Sequence, residues 1–348
     1  MSTFHFSWSI LAALGAAILF GASTPFAKQL VGHMSPLLLA GLLYLGSGIG
    51  LVIVRLVKDR GWQASGLVKK DWLWFLGAIG FGGICAPTLL MFGLIKTSAA
   101  TASMFLNLES VLTAVLAWVF FKESTDRRIM LGMLFIVAGG VVLTWPNQLT
   151  TQAWIGPLTI AGACLCWAMD NNLTRKISTA DSLFLASMKG LVSGIVNVSL
   201  ALTIGLTLPM WHKVSYALAV GFLGYGVSLV LFILSLRELG TARTGAYFST
   251  APFIGAAIAI LFFHNPAPLS FWVAALLMGI GVWIHLTESH IHDHIHESLY
   301  HNHSHTHDEH HQHAHDFPWD GKEPHTHAHH HEPLTHSHHH YPDIHHRH

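Results

Sequence analysis

Between Trp8 and Leu286 the chain repeats one pattern, a run of apolar residues closed by a short polar break. Crossing the hydrocarbon core takes about 20 apolar residues in a helix. Ten runs approach that length, roughly 8–28, 35–56, 72–95, 97–121, 129–145, 153–174, 182–207, 214–236, 241–263 and 268–286. The pattern predicts an all-α membrane protein with ten transmembrane helices. The first run resembles an export signal, but no Lys or Arg precedes Trp8 and the run is longer than a signal core. A retained helix is expected there. From Thr287 onward the pattern changes to histidine at alternate positions, as in "HIHDHIH" (290–296), "HNHSHTH" (301–307) and "HTHAHHH" (325–331).

Composition sharpens this division. The chain is 52% hydrophobic and only 10% charged. Its mean hydropathy of +0.47 is high even though the polar tail dilutes it, so the body belongs in lipid. Basic residues in short loops are retained on the cytoplasmic side. With the N-terminus inside, twelve Lys and Arg fall inside, among them Arg55, Arg127, Arg128, Arg175 and Lys176, against Lys28, Lys96 and Lys213 outside. Ten spans then leave both termini cytoplasmic in a bacterial-type inner membrane. Cys85, Cys164 and Cys166 all fall within runs and read as packing residues. Trp72, Trp145, Trp211 and Trp272 lie near run ends, as an interfacial belt requires.

The body also repeats itself. "LIKTSAATASMFLNLESVLTAVLAWVFF" from Leu94 lies on "LRELGTARTGAYFSTAPFIGAAIAILFF" from Leu236 at a shift of 142, which brings Phe120 and Phe121 onto Phe262 and Phe263. "GFGG" at Gly80 matches "GFLG" at Gly221, and "FGASTPFAK" matches "WAMDNNLTR" with Lys28 on Arg175. Each unit holds five runs, and an odd number turns the second unit over in the membrane. Residues 1–145 and 153–286 are thus expected to form two inverted five-helix repeats, a framework that can expose a central site to either face in turn.

These two units, the "FFKES" that closes the fourth run and the "LCWAMDNNLTRKIS" that opens the second half resemble the drug/metabolite transporter superfamily, EamA type. The resemblance covers residues 1 to about 286. It implies a ten-helix bundle with a substrate path between the repeats, and a solute drawn from amino acids, sugars, nucleotide derivatives or drugs. The tail is no part of it.

Three ionisable side chains lie deep in the runs: Glu109, Asp170 and Lys189. A charge at a helix centre costs about 2.5–3.5 kcal/mol on insertion scales, so each needs a partner or a water-filled cavity. Glu109 lies about twelve residues into its run, near mid-bilayer at ~1.5 Å per residue, with no basic residue at its depth. It is the first candidate for a proton or solute contact, the alternative being a neutral acid bonded to a neighbouring helix. Asp170 and Lys189 share a depth and predict an ion pair, with Asn171 and Asn172 completing its hydrogen bonds. That pair is either structural or broken and remade during transport. Asn107, Asn197, Tyr225 and Tyr247 are further solute contacts or packing residues. Pro87 and Pro252 each free a carbonyl inside a run and predict kinks.

The tail, residues 287–348, holds 24 of the 29 histidines and too little apolar area to offset ordering, so disorder is expected. His301, His303, His305, His307, His310, His311, His313, His315, His327 and His329 are candidate ligands for Zn, Ni, Co or Cu. Ten acidic residues against Lys322 and Arg347 give the tail −8, whereas the body carries +8. The two should attract until bound metal or protonated imidazole weakens the attraction, which makes the tail a candidate regulator.

No phosphate-binding loop or catalytic triad is apparent, so neither an enzyme nor a nucleic-acid binder is expected, and no cofactor is required. The partners expected are the lipid bilayer, a small-molecule solute and divalent metal at the tail. The leading expectation is a secondary transporter of a small organic solute, proton-coupled through Glu109. The alternative is a divalent metal exporter whose tail collects the ion.

Overall fold

The computed structural model describes residues 8–59, 65, 67–121, 127–145, 151–177 and 180–287, and within the tail 290–296, 299–305, 325–331 and 334–340. The apolar runs are built from helices. Helix α1 (Trp8–Leu30) is followed by Gly32 in the left-handed region (φ 95°), and α2 (Pro36–Asp59) follows that turn. The third run is α3 (Asp71–Ala78), a π-helical stretch (Ile79–Cys85) and α4 (Ala86–Lys96). The fourth is broken in two, α5 (Ala99–Phe105) and α6 (Leu108–Phe121), with a turn at Leu106 and Asn107. Next come α7 (Arg127–Thr144), α8 (Thr151–Lys176) and α9 (Ser182–Thr203). Past α9, Gly205 (φ 85°) donates to Leu202 O (3.1 Å) while Leu206 reaches back to Ala201 O (3.0 Å), a Schellman closure that only the left-handed glycine permits.

The second half repeats the π-helical device. Helix α10 (Trp211–Gly221) passes through a π-helical stretch (Phe222–Val227) into α11 (Ser228–Phe248). Helices α12 (Ala251–Leu261) and α13 (Leu269–Leu286) follow. Here the expected boundaries shift. The polar "RELG" (237–240) predicts a break between runs 214–236 and 241–263, but α11 continues through those residues to Phe248 and the break falls at Ser249 and Thr250. Arg237, Glu238 and Leu239 are good helix formers, and a single Gly240 costs only about 1 kcal/mol in a helix. Pro87 and Pro252 both sit at distortions of their runs, as expected: Pro87 follows the π-helical stretch inside the continuous rod Asp71–Lys96, and Pro252 lies in the first turn of α12, directly after the break at Ser249 and Thr250. Six helical runs among the described residues are long and apolar enough to cross a membrane: Trp8–Leu30, Pro36–Lys58, Asp71–Lys96, Ala99–Phe120, Ser182–Thr203 and Trp211–Ser235. Helix α8 is long enough, but its last two turns carry Asp170, Asn171, Asn172, Thr174, Arg175 and Lys176.

The helices form a bundle in which α2 packs most extensively on α9, and α7 on α13. Helix α1 lies against α11 and α12, and α8 against α4 and α6. Leu38, Leu43, Tyr44, Leu90, Trp167 and Tyr225 belong to its main buried cluster. The outer surface is apolar, with Trp145, Trp211, Leu134, Leu276 and Phe262 well exposed, as lipid contact requires.

The tail is a separate unit, Ser289–Tyr341. Where composition predicted no regular structure, its described segments pair as strands: β1 (His290–His296) runs antiparallel to β4 (Leu334–His340), and β2 (Leu299–His305) to β3 (His325–His331). The alternation of histidine has the two-residue period of a strand.

Candidate functional site

The site is built around the first π-helical stretch. A π-helix shifts each hydrogen bond by one residue, so the Ala86 amide bonds to Phe81 O and leaves Gly82 O behind. The next amide that could serve Gly82 belongs to Pro87, which has no N–H. Two side chains take over: the Tyr44 hydroxyl from α2 donates to Gly82 O at 2.6 Å, and Trp167 Nε1 from α8 at 3.1 Å. Asn197 from α9 adds a long contact to Gly83 O (3.5 Å). One carbonyl in the stretch therefore ties three elements together.

Glycine at positions 82 and 83 is required by closeness. A Cβ on Gly82 would overlap the Asp170 carboxylate, and one on Gly83 would overlap the Ser193 hydroxyl. Against Gly82, Asp170 forms an ion pair with Lys189, both side chains being almost fully buried. Thr174 Oγ1, one turn along α8, donates to Asp170 Oδ1 at 3.0 Å. The expected pair is thus present, but its hydrogen bonds are completed by Thr174 and not by Asn171 and Asn172. Asn171 donates instead to Glu109 Oε1 at 2.8 Å, and Asn172 to the Thr113 and Ala168 carbonyls.

Glu109 does not sit mid-helix. The turn at Leu106 and Asn107 makes it the second residue of α6, where the positive end of the helix dipole favours a carboxylate. Asn107 lies in that turn but faces elsewhere, donating to Met104 O (3.0 Å) and making a long contact with Met278 Sδ (3.7 Å). Tyr225, in the second π-helical stretch, packs its ring against Phe20 (5.9 Å) and Tyr44 (5.3 Å). Tyr247 is half-buried in the last turn of α11, and its carbonyl accepts from Thr250. His301, His303, His305, His327 and His329 lie on strands β2 and β3. His307, His310, His311, His313 and His315 lie outside the described residues.

Sequence reasoning missed several members. Trp167 and Tyr44 were invisible because their role depends on the π-helical shift. Arg55, counted as a loop cation, is fully buried at the end of α2, 3.2 Å from Asp181 and 5.0 Å from the centre of the Phe184 ring. Asp181 also caps α9, accepting from the Leu183 and Phe184 amides. Lys28, in the last turn of α1, donates to the Leu94 carbonyl near the end of α4. An arginine or lysine near a run end carries no signal that tells a buried latch from a loop charge.

A bundle of apolar helices, two of its long rods distorted by π turns and a third interrupted beside buried charges, defines a multi-pass membrane transporter. Residues 7–145 and 154–287 each match the EamA-like transporter family, and the chain belongs to that family. It is 26% identical over 294 residues to an uncharacterized transporter of Methanothermobacter thermautotrophicus, covering 80% of this chain and 85% of the relative. It is 24% identical over 294 residues to the uncharacterized transporter YyaM of Bacillus subtilis, covering 80% of this chain and 92% of that relative. A 111-residue stretch is 34% identical to the probable 4-amino-4-deoxy-L-arabinose-phosphoundecaprenol flippase subunit ArnE of Pseudomonas aeruginosa, covering 32% of this chain and 91% of that one. A solved crystal structure superimposes with a TM-score of 0.63 at 17% identity, over 79% of this chain and 94% of that chain. It supports the fold alone.

Proposed function

We propose that the chain is a secondary transporter of a small organic metabolite or drug-like solute, working by alternating access between two inverted five-helix repeats of ten spans in all. Both termini face the cytoplasm of a bacterial-type inner membrane, and proton coupling runs through Glu109. The repeat reading draws support from the two π-helical stretches, Ile79–Cys85 and Phe222–Val227, which lie about as far apart in sequence as the aligned segments. The breaks at Leu106–Asn107 and Ser249–Thr250 are offset by nearly the same distance. The observation that carries the functional reading is the half-buried Glu109, held by Asn171 at a helix interruption. The partner found for this acid among the described residues is an uncharged amide at a helix N-terminus, and an ionisable group kept inside a membrane bundle without a paired cation is a functional candidate for moving a solute or proton.

The named cargo of the flippase subunit, a lipid-linked amino sugar, enlarges the range of solutes worth testing. Purified protein in proteoliposomes should move a solute from a metabolite mixture, and Glu109→Gln should abolish that movement while the protein remains folded. Undiminished transport by Glu109→Gln overturns the role of this residue.

We further propose that the tail binds Zn, Ni, Co or Cu and regulates transport. Strand register supports it: His301 lies opposite His329, His303 opposite His327 and His305 opposite His325. A divalent metal exporter is the second reading, favoured by the tail alone; among the described residues no three His, Cys, Asp or Glu are grouped to hold an ion.

A further inference from the structure

Strand register sorts the histidines of the tail. Side chains alternate between the two faces of a strand, and residues directly opposite in an antiparallel pair share a face. In β2–β3 the histidine rungs are His301–His329, His303–His327 and His305–His325. In β1–β4 three rungs run from His290–His340 to His294–His336. Of the sixteen histidines in the four strands, fourteen lie on the rung face of their pair, and only His330 and His339 lie on the other. Alternation along one strand is a property of the sequence, but the match across strands is not. A slip of one residue would set the two rows of imidazoles on opposite faces.

This arrangement suits one ligand chemistry. Opposite Cβ atoms lie about 5 Å apart, and successive rungs on one face about 7 Å apart. Two neighbouring rungs therefore put four imidazoles on one small patch, the number that closes a tetrahedral zinc site. Three rungs in a row make two overlapping sets of four, and both sets use the middle rung. Among the described residues no three ligands are already gathered; the ion draws the rings of two rungs together. Each sheet of the tail has two strands, and a two-stranded ribbon is marginal in water on its own. An ion bound across rungs clips the strands, because its binding energy is available to folding.

Resting on the reading that the tail binds metal, we propose that each strand pair holds one zinc-type divalent ion through the four imidazoles of two neighbouring rungs. The tail then carries two tetrahedral centres with no open coordination position, which hold the ion and close the ribbon but do not activate water.

The full chain in lipid nanodiscs, free of any purification tag, is loaded with zinc, and the ions retained through gel filtration are counted. Co²⁺ is read in parallel by its visible absorption, which is intense in tetrahedral coordination and weak in octahedral. The wild type should retain two ions and give tetrahedral cobalt. Three double variants each remove two histidines. His303→Ala with His327→Ala takes the middle rung of β2–β3, and should lower retention to one ion and halve the cobalt absorption. His305→Ala with His325→Ala takes an end rung, leaves one set of four intact and should retain two. His330→Ala with His339→Ala removes the histidines of the other face and should also retain two. A wild-type count other than two, equal losses in all three variants, or octahedral cobalt overturns the paired centres and leaves the tail a metal binder of another kind. Zinc that fails to bind the wild type even at equilibrium dialysis removes the metal reading itself, and this proposal with it.

Discussion

Arg55 and Asp181 meet at 3.2 Å, joining the C-terminal end of α2 to the N-cap of α9. These two helices share the most extensive packing in the bundle, and the pair closes one end of their seam. Asp181 has two tasks there, charge partner and cap, and they can be separated. Asp181→Asn keeps a capping side chain, because asparagine caps about as well as aspartate, and removes only the charge. Asp181→Ala removes both. The alanine variant should be less stable than the asparagine variant by about 1 kcal/mol, read as the thermal midpoint of the detergent-solubilised protein. Identical midpoints would show that the cap contributes nothing.

Two glycines in one π-helical stretch make a matched pair. A Cβ at position 82 meets the Asp170 carboxylate, whereas nothing lies within 4 Å of one at position 80. Gly82→Ala should therefore push Asp170 away from Lys189, cost about 1–3 kcal/mol as overpacking does, and impair transport. Gly80→Ala should be tolerated, since alanine favours helix over glycine. Melting curves and flux for the two variants check this directly, and equal behaviour would mean the stretch is looser than its packing implies.

How far these relationships could be read from the residues depends on their range. Helix positions followed from apolar runs, and the depths of Asp170 and Lys189, nineteen residues apart, sufficed to pair them. The Glu109–Asn171 bond spans 62 residues, and no local pattern announces it. Position 171 was expected to serve Asp170 because it is adjacent in sequence, but adjacent side chains on a helix point about 100° apart, and Thr174, one turn along, is the true neighbour. The π-helical stretches were seen only as glycines. Whether a glycine-rich apolar segment inserts an extra residue per turn depends on what packs against it, here Asp170, Ser193 and Tyr44. The continuous α11 was missed for the same reason in reverse, since "RELG" reads as a polar break although its residues are compatible with helix.

The tail should act as a metal-binding unit independent of the bundle. Removing residues 290–348 should abolish high-capacity binding of zinc or nickel, measured by equilibrium dialysis, and leave the melting of the bundle unchanged. Neutral imidazole is the ligand, so protons compete with the metal. Binding by the full chain should be strong at pH 7.5 and fall away below about pH 6.5, the ordinary imidazole range. Regulation would appear as metal-dependent flux in the full chain and metal-independent flux in the truncated one. The same metal response in both would confine the tail to buffering.

The buried pair of Asp170 and Lys189 separates stability from mechanism. Lys189→Met leaves a carboxylate without its cation inside the bundle, a loss of about 3–5 kcal/mol for a fully buried pair, less whatever protonation of Asp170 recovers. Asp170→Leu leaves the ammonium stranded at a similar cost. The double variant carries neither charge, and well-packed apolar replacements of buried ion pairs are often neutral or stabilising, so it should melt near the wild type. If the pair only braces α8 against α9, transport returns with stability in the double variant. If it opens and closes during the cycle, the double variant melts like the wild type and carries no solute. Melting temperature and proteoliposome flux, measured on all four proteins, decide between the two.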